Sequence, residues 1–205
     1  KPEKCIYTGN PIRPDVVSAQ RAESRRKLGI SPEVFMVVIT GGSRGARTIN
    51  RAMISVHEHF KRDKGICLYH ITGNLEYDKI VRELGLTDGK SFGKGSRIIK
   101  YEYDMPAVLA AADLIICRAG AVSLAELAAR ELPSILIPYP YASGDHQTFN
   151  ARVFVKAEAA KMIADKYVTE KELIQDINDF RHQPETLERM SEATKKIKKI
   201  YAGAD

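Results

Sequence analysis

Residues 113–150 read DLIICRAGAVSLAELAARELPSILIPYPYASGDHQTFN. The unbroken apolar run at 114–117 stops at Arg118-Ala119-Gly120, and the alanine- and leucine-rich segment behind it carries its apolar residues at helical spacing. A second apolar run, 134–138, then empties into a polar loop. Strand, tight turn, helix and strand in that order predict two parallel strands joined by a helical crossover, so both loops leave the carboxyl ends of their strands. In an open α/β sheet that edge is where ligands bind.

The rest of the chain repeats the alternation. Residues 5–8 form a short strand-like piece before the Gly9-Asn10-Pro11 turn, and residues 15–29 predict a charged helix closed by Gly29. Further strands are predicted at 34–40, 66–72, 97–101 and 160–164, and helices at 46–60, 75–84, 105–111, after residue 150 to about 158, 170–180 and 184–201. Residues 85–95, rich in glycine, lysine and polar side chains, read as a surface loop. The expected fold class is α/β: a doubly wound, Rossmann-like parallel sheet in a single domain over residues 1–205. The opening KPEKCIYTGNPIR has no initiator methionine and no obvious first element, and is read as the cut edge of a longer protein.

Composition removes several classes of function. No apolar run is long enough to span a bilayer and no signal-peptide pattern opens the chain, so a cytoplasmic location is expected. Cys5, Cys67 and Cys117 are an odd, widely spaced set, two of them in strand-like runs, which predicts buried free thiols. The net charge of +6 gathers partly at Lys195, Lys196, Lys198 and Lys199, either a solvated helix face or a contact for an anionic membrane surface. Basic and aromatic residues do not interleave, so no nucleic acid partner is expected.

Three loops carry candidate chemistry. In Gly41-Gly42-Ser43-Arg44-Gly45-Ala46 the glycines let the main chain approach a ligand, and the Ser43 hydroxyl either caps the following helix or bonds a phosphate oxygen. Behind Gly120 a second helix N-terminus favours a phosphate, and Glu126, two turns inside, is placed to accept from both hydroxyls of a ribose. The plainer reading of that segment is a packed helix with a solvated glutamate. Beyond the next strand, Gln147 and Asn150 are neutral amides suited to sugar hydroxyls.

Other chemistry is set aside. Residues 41–45 match G-x-S-x-G, the nucleophile elbow of α/β-hydrolases, but that fold places several strands ahead of its elbow and no HGGG-type loop is present. The glycines lack G-x-G-x-x-G spacing, and there is no P-loop. His57 and His59 diverge on their helix and no D-x-D stands at a strand end, so neither metal nor cofactor is expected. His146 reads as a loop histidine rather than a base.

Taken together, these loops resemble those of the C-terminal half of the MurG-type transferases, and the likeness covers essentially the whole chain. It is carried by TGNPIR (8–13), GGSRGARTIN (41–50), CRAGAVSLAE (117–126), the LPSILIPYP run and DHQTFNA (145–151). The resemblance implies the donor-nucleotide half of a two-domain GT-B enzyme, peripheral on the inner face of the bacterial cell membrane. Such an enzyme moves N-acetylglucosamine from UDP-N-acetylglucosamine to the lipid-linked muramyl-pentapeptide precursor of peptidoglycan. At the matching positions it implies that Arg13 and Ser43 contact the diphosphate and that the main chain at Glu102 reads the uracil. It further implies that Ala121, Val122, Ser123, Leu124, Ala125 and Glu126 hold the diphosphate and ribose, while Gln147 and Asn150 hold the sugar.

No catalytic residue is expected within the chain, because the resemblance puts the general base and the acceptor site in an N-terminal domain absent from this sequence. The chain alone is therefore expected to bind donor weakly and not to transfer it. Two residues depart from the family pattern: Ala119 stands where serine is common, removing a hydroxyl near the phosphates, and Glu102 where an apolar residue is usual. A UDP-hexose-dependent diacylglycerol glycosyltransferase domain and a standalone nucleotide-sugar-binding subunit fit the same loops.

Overall fold

The computed structural model describes residues 10–86, 91–93 and 95–201, so the strand-like piece at 5–8 and Cys5 lie outside the described residues. Its strands are β1 (Phe35–Thr40), β2 (Ile66–Ile71), β3 (Ser91–Phe92), β4 (Ser96–Ile99), β5 (Leu114–Cys117), β6 (Ser134–Leu136) and β7 (Ala160–Met162). They form one sheet in the order β3-β4-β2-β1-β5-β6-β7. From β4 to β7 the neighbours pair in parallel. The short β3 pairs antiparallel with β4, inside the segment that reads as a loop, because two residues of pairing leave no apolar pattern in the sequence.

The helices are α1 (Pro14–Ser18), α2 (Arg21–Leu28), α3 (Arg47–Phe60), α4 (Tyr77–Glu83), α5 (Met105–Ala111), α6 (Ala121–Arg130), α7 (His146–Lys156), α8 (Glu170–His182) and α9 (Pro184–Tyr201). They cover both faces of the sheet. Along β1, Met36 and Val38 enter one core layer with α5, α6 and α7, whereas Val37 and Ile39 enter the other with α3 and α8. β5 divides the same way, Ile115 and Cys117 against Leu114 and Ile116. Strands buried on both faces need apolar residues at every position, which is why they read as unbroken runs. Cys67 and Cys117 are free and buried, and desolvation pushes their thiols up to about 11 and about 12, so neither is a reactive thiolate at neutral pH.

The helix expected over 15–29 is two helices, α1 and α2, parted at Ala19 and Gln20. Arg130 of α6 explains the break: its Nη1 donates to the carbonyls of Val16, Val17 and Ala19, engaging oxygens at the end of α1. Gly29 does close α2, in the left-handed conformation with φ 64°. At the other end of the chain, α8 begins at Thr169, whose hydroxyl accepts the Glu172 N–H at 3.2 Å. Thr169→Ala removes that cap and is expected to lower stability by about 1 kcal/mol. A lower urea midpoint at unchanged m-value would report it.

The chain places β1 in the middle, adds β2 and β4 on one side, and returns to add β5, β6 and β7 on the other. The order therefore reverses between β1 and β5. The loops after these two strands, 41–46 and 118–120, diverge around a crevice at the carboxyl edge, the topological switch point of a doubly wound sheet.

Candidate functional site

A cleft of about 900 Å³ opens at that crevice, walled by the glycine loop, Arg118, Gly120, Ser123 and Glu126, the turn at Tyr101 and Glu102, and the segment from Tyr139 to Gln147. The glycine loop is tightly packed from behind. Gly45 has φ 82°, and a Cβ there would lie 2.1 Å from the Thr72 carbonyl oxygen. The Asn74 N–H donates to the Ser43 carbonyl at 3.1 Å, so the turn after β2 holds the loop by its backbone.

Asn50 of α3 fixes that turn, donating Nδ2 to the Thr72 carbonyl at 2.8 Å. Its Oδ1 must then face His70 Nε2, 3.0 Å away, which puts the ring proton on Nε2 and leaves Nδ1 to accept from His57 Nε2 at 3.2 Å. Burial drives His57 down to about 3 and His70 well below its ordinary value, so both rings are neutral and the network is a fixed buttress.

Two helices open onto the cleft. α3 starts behind Ala46 and α6 behind Gly120, and neither has a side-chain cap. Ser43 thus does not cap α3 and stays exposed on the cleft wall. Uncapped helices of 14 and 10 residues bring unpaired N–H groups and positive dipole ends to one place, an environment made for an anion.

Within α6 the expected residues separate. Ala121, Val122 and Ser123 are exposed in the first turn, and Glu126 reaches the cleft one turn further on. Leu124 and Ala125 are fully buried in the core, and the Leu124 N–H is spent on the Gly120 carbonyl, so their part is packing rather than contact with a ligand. The Glu126 side chain is 18% exposed, with Oε1 3.6 Å from Arg13 Nε. Burial raises its pKa, and the Arg13 guanidinium works against that rise. Arg13 is half-exposed, also lies 3.8 Å from Asp15, and approaches the cleft through Glu126.

The two amides of α7 hold the Ala119 peptide between them. Gln147 Oε1 accepts the N–H groups of Ala119 at 3.2 Å and Tyr139 at 2.9 Å, and Asn150 Nδ2 donates to the Ala119 carbonyl at 3.2 Å. Two N–H donors fix the Gln147 amide so that its Nε2 is the end left for a ligand. Asn150, expected on the sugar, is not on the cleft wall and braces the loop instead. Ala119 is fully buried, so the missing serine hydroxyl would have faced the core and not the cleft. His146 donates its Nδ1–H to the Ser143 carbonyl at 2.6 Å, a loop brace as expected.

Glu102 turns its carboxylate inward, to Tyr69 and to the Asp104 N–H, leaving only its main chain for a base. Sequence reasoning missed Arg118, which reads as a turn residue. Its Nη1 donates to the carbonyls of Ile137 at 3.0 Å and Pro138 at 3.1 Å and pairs with Asp165 at 2.5 Å, while Asp165 accepts the Thr48 hydroxyl at 2.9 Å. The guanidinium also lies 5.5 Å from the Tyr139 ring centre. Arg118 thereby ties β5, the end of β6 and α3 into one cleft floor. Among the described residues, no group of three or more His, Cys, Asp or Glu is placed to hold a metal ion, and no helix is long and apolar enough to cross a membrane.

A doubly wound sheet with two uncapped helix N-termini and a carboxylate at its switch point has the architecture of the C-terminal half of a GT-B glycosyltransferase. The chain belongs to the glycosyltransferase family 28 C-terminal domain, whose profile matches residues 36–204. It is 40% identical over 200 residues to the UDP-N-acetylglucosamine--N-acetylmuramyl-(pentapeptide) pyrophosphoryl-undecaprenol N-acetylglucosamine transferase of Desulforudis audaxviator, covering 97% of this chain and 54% of that protein. The transferase of the same name from Acetivibrio thermocellus is 38% identical over 194 residues, covering 95% and 52%. The chain thus spans about half the length of the curated relatives it matches. Among solved structures, Acinetobacter baumannii MurG superposes with a TM-score of 0.67 at 23% identity, over 91% of this chain and 54% of that one. WaaG, a glycosyltransferase involved in lipopolysaccharide biosynthesis, gives 0.64 at 18%, over 98% and 54%. At those identities the likeness is one of fold.

Proposed function

We propose that residues 1–205 are the single donor-nucleotide domain of an inverting glycosyltransferase that moves N-acetylglucosamine from UDP-N-acetylglucosamine to the lipid-linked muramyl-pentapeptide precursor. The observation that carries this reading is the convergence in one cleft of two uncapped helix N-termini and Glu126, which Arg13 approaches from outside the cleft wall. The diphosphate lies across the ends of α3 and α6 with the Ser43 hydroxyl, the ribose hydroxyls meet Glu126, and the sugar meets Gln147 Nε2. The names of the relatives support the donor and the acceptor.

Departure of UDP leaves an anion. The helix ends and Arg13 stabilise that charge as it develops, and fixed dipoles do so without reorganising. The base that takes the acceptor proton, and the lipid-linked acceptor itself, belong to the other half of such an enzyme. On this reading the protein works at the cytoplasmic face of the membrane, where the lysine-rich end of α9 meets anionic lipid. Of those lysines, Lys195 already pairs with Glu192 at 2.6 Å and Glu131 at 3.6 Å, which moderates its share.

Calorimetric titration with UDP-N-acetylglucosamine, UDP-glucose and UDP tests the reading. UDP-N-acetylglucosamine is expected to bind tightest. Equal or tighter binding of UDP-glucose would favour the diacylglycerol glycosyltransferase, and binding of none would sink the donor-domain reading.

A further inference from the structure

The turn between β4 and α5 contains an acid that does something unusual. Glu102 Oε2 accepts the hydroxyl of Tyr69, a buried residue of β2, at 2.6 Å, and Oε1 accepts the Asp104 N–H at 2.7 Å. Asp104 pairs in turn with Lys27 of α2 at 2.5 Å and accepts the Ala107 N–H at the start of α5. One carboxylate therefore ties the turn to β2 and, through Asp104, to α2 and α5. Burial and the neighbouring carboxylate both push the Tyr69 phenol up, so it remains a donor at any working pH.

The main chain of the same turn is the opposite case. Among the described residues neither the N–H nor the C=O of Glu102 carries a hydrogen bond, and Glu102 and Tyr101 line the cleft. A donor and an acceptor held at fixed spacing match a base edge that offers an acceptor beside a donor. Uracil presents that order at O4 and N3–H; cytosine presents the reverse, a donor at N4 beside an acceptor at N3.

We propose that Glu102 and Tyr69 form a latch that sets the position of this turn and so determines selectivity for uracil over cytosine. The two are positioning residues, and the role rests on reading the cleft as a UDP-sugar site. The side-chain latch is separate from the main-chain contact it serves, because an apolar residue at position 102 would leave that contact in place but unsupported.

The test is titration of UDP and CDP into the 205-residue chain, into Tyr69→Phe, Glu102→Ala and their combination, and into Glu102→Gln. Wild type is expected to prefer UDP, and each single loss is expected to cut the UDP-to-CDP affinity ratio by about tenfold. The double variant should lose no more than either single, because the two groups act as a unit. Glu102→Gln should restore most of the ratio, its oxygen serving the Asp104 N–H and its amide donating to the Tyr69 oxygen. Tyr69→Phe keeps the shape of the buried ring, which keeps the test open if Glu102→Ala fails to fold. An unchanged ratio in Tyr69→Phe overturns the latch, and so does an equal loss of UDP and CDP, which marks a merely structural contact. Failure of the wild-type chain to bind either nucleotide brings down the cleft assignment itself, before any variant is compared.

Discussion

Arg25→Met is expected to destabilise the fold by about 3–5 kcal/mol, a large share of the roughly 5–15 kcal/mol that holds a typical domain together. The Arg25 side chain is 4% exposed. Its Nε donates to the Ala111 carbonyl at 3.0 Å, and its Nη1 reaches the carbonyls of Ser31, Pro32 and Val34, each at 2.9 Å. Its Nη2 pairs with Asp113 at 2.6 Å, and the same carboxylate accepts the Met36 N–H at 2.6 Å. One guanidinium thus fastens α2 to the entries of β1 and β5, the two strands that frame the cleft. Methionine matches the stem but supplies none of the donors, so four carbonyls and a carboxylate lose a partner in a place water reaches poorly. Urea unfolding of Arg25→Met and of Arg26→Met, the exposed neighbour, makes the comparison. The second is expected to change stability by less than about 0.5 kcal/mol. Equal losses would mean that helix charge, and not the buried fork, matters.

Arg25 also marks the limit of what a sequence can disclose. It stands in the charged helix read over 15–29, and only the packing of α2 on α5 makes it the buried charge of the run from Glu23 to Lys27. Residues whose role follows from local pattern were legible: the unbroken runs of β1 and β5, the glycines of the loop at 41–46, Gly29 at the end of α2. Their neighbours in sequence dictate their geometry, since an unbroken apolar run fits a strand covered on two faces and a positive φ favours glycine. Residues whose role depends on a distant partner were not. Arg130 breaks a helix 111 residues earlier in the chain, and Arg118 closes on Asp165 across 47. Asn50 carried a signal that could have been taken up. It is a polar residue among Ile49 and Met53 on the buried face of α3, and a polar group there requires a buried partner, which His70 and Thr72 supply. Asn150 shows the converse, since its chemistry suited a sugar but its place in α7 gave it the Ala119 carbonyl.

Glu126→Gln is expected to weaken UDP and UDP-N-acetylglucosamine by roughly tenfold to a hundredfold, the worth of about 1.5–3 kcal/mol for hydrogen bonds to a charged acceptor. A carboxylate accepts from two ribose hydroxyls at once, whereas the amide offers one acceptor and a donor. The same change is expected to leave the free chain as stable as before or more so. Burial raises the pKa of Glu126, so the folded chain holds that proton more tightly than the unfolded one. A carboxyl group of that kind favours folding in acid and becomes a cost as the pH rises through the ordinary carboxylate range to the raised value. At neutral pH the ionised group is therefore a burden that glutamine removes, and the lost pair with Arg13 offsets little because Arg13 is half-exposed. Melting curves of the two proteins from pH 7 downward should converge as Glu126 takes up its proton. Should stability and binding instead fall together in Glu126→Gln, the carboxylate is a structural partner of Arg13, and the ribose contact would have to be sought elsewhere on the cleft wall.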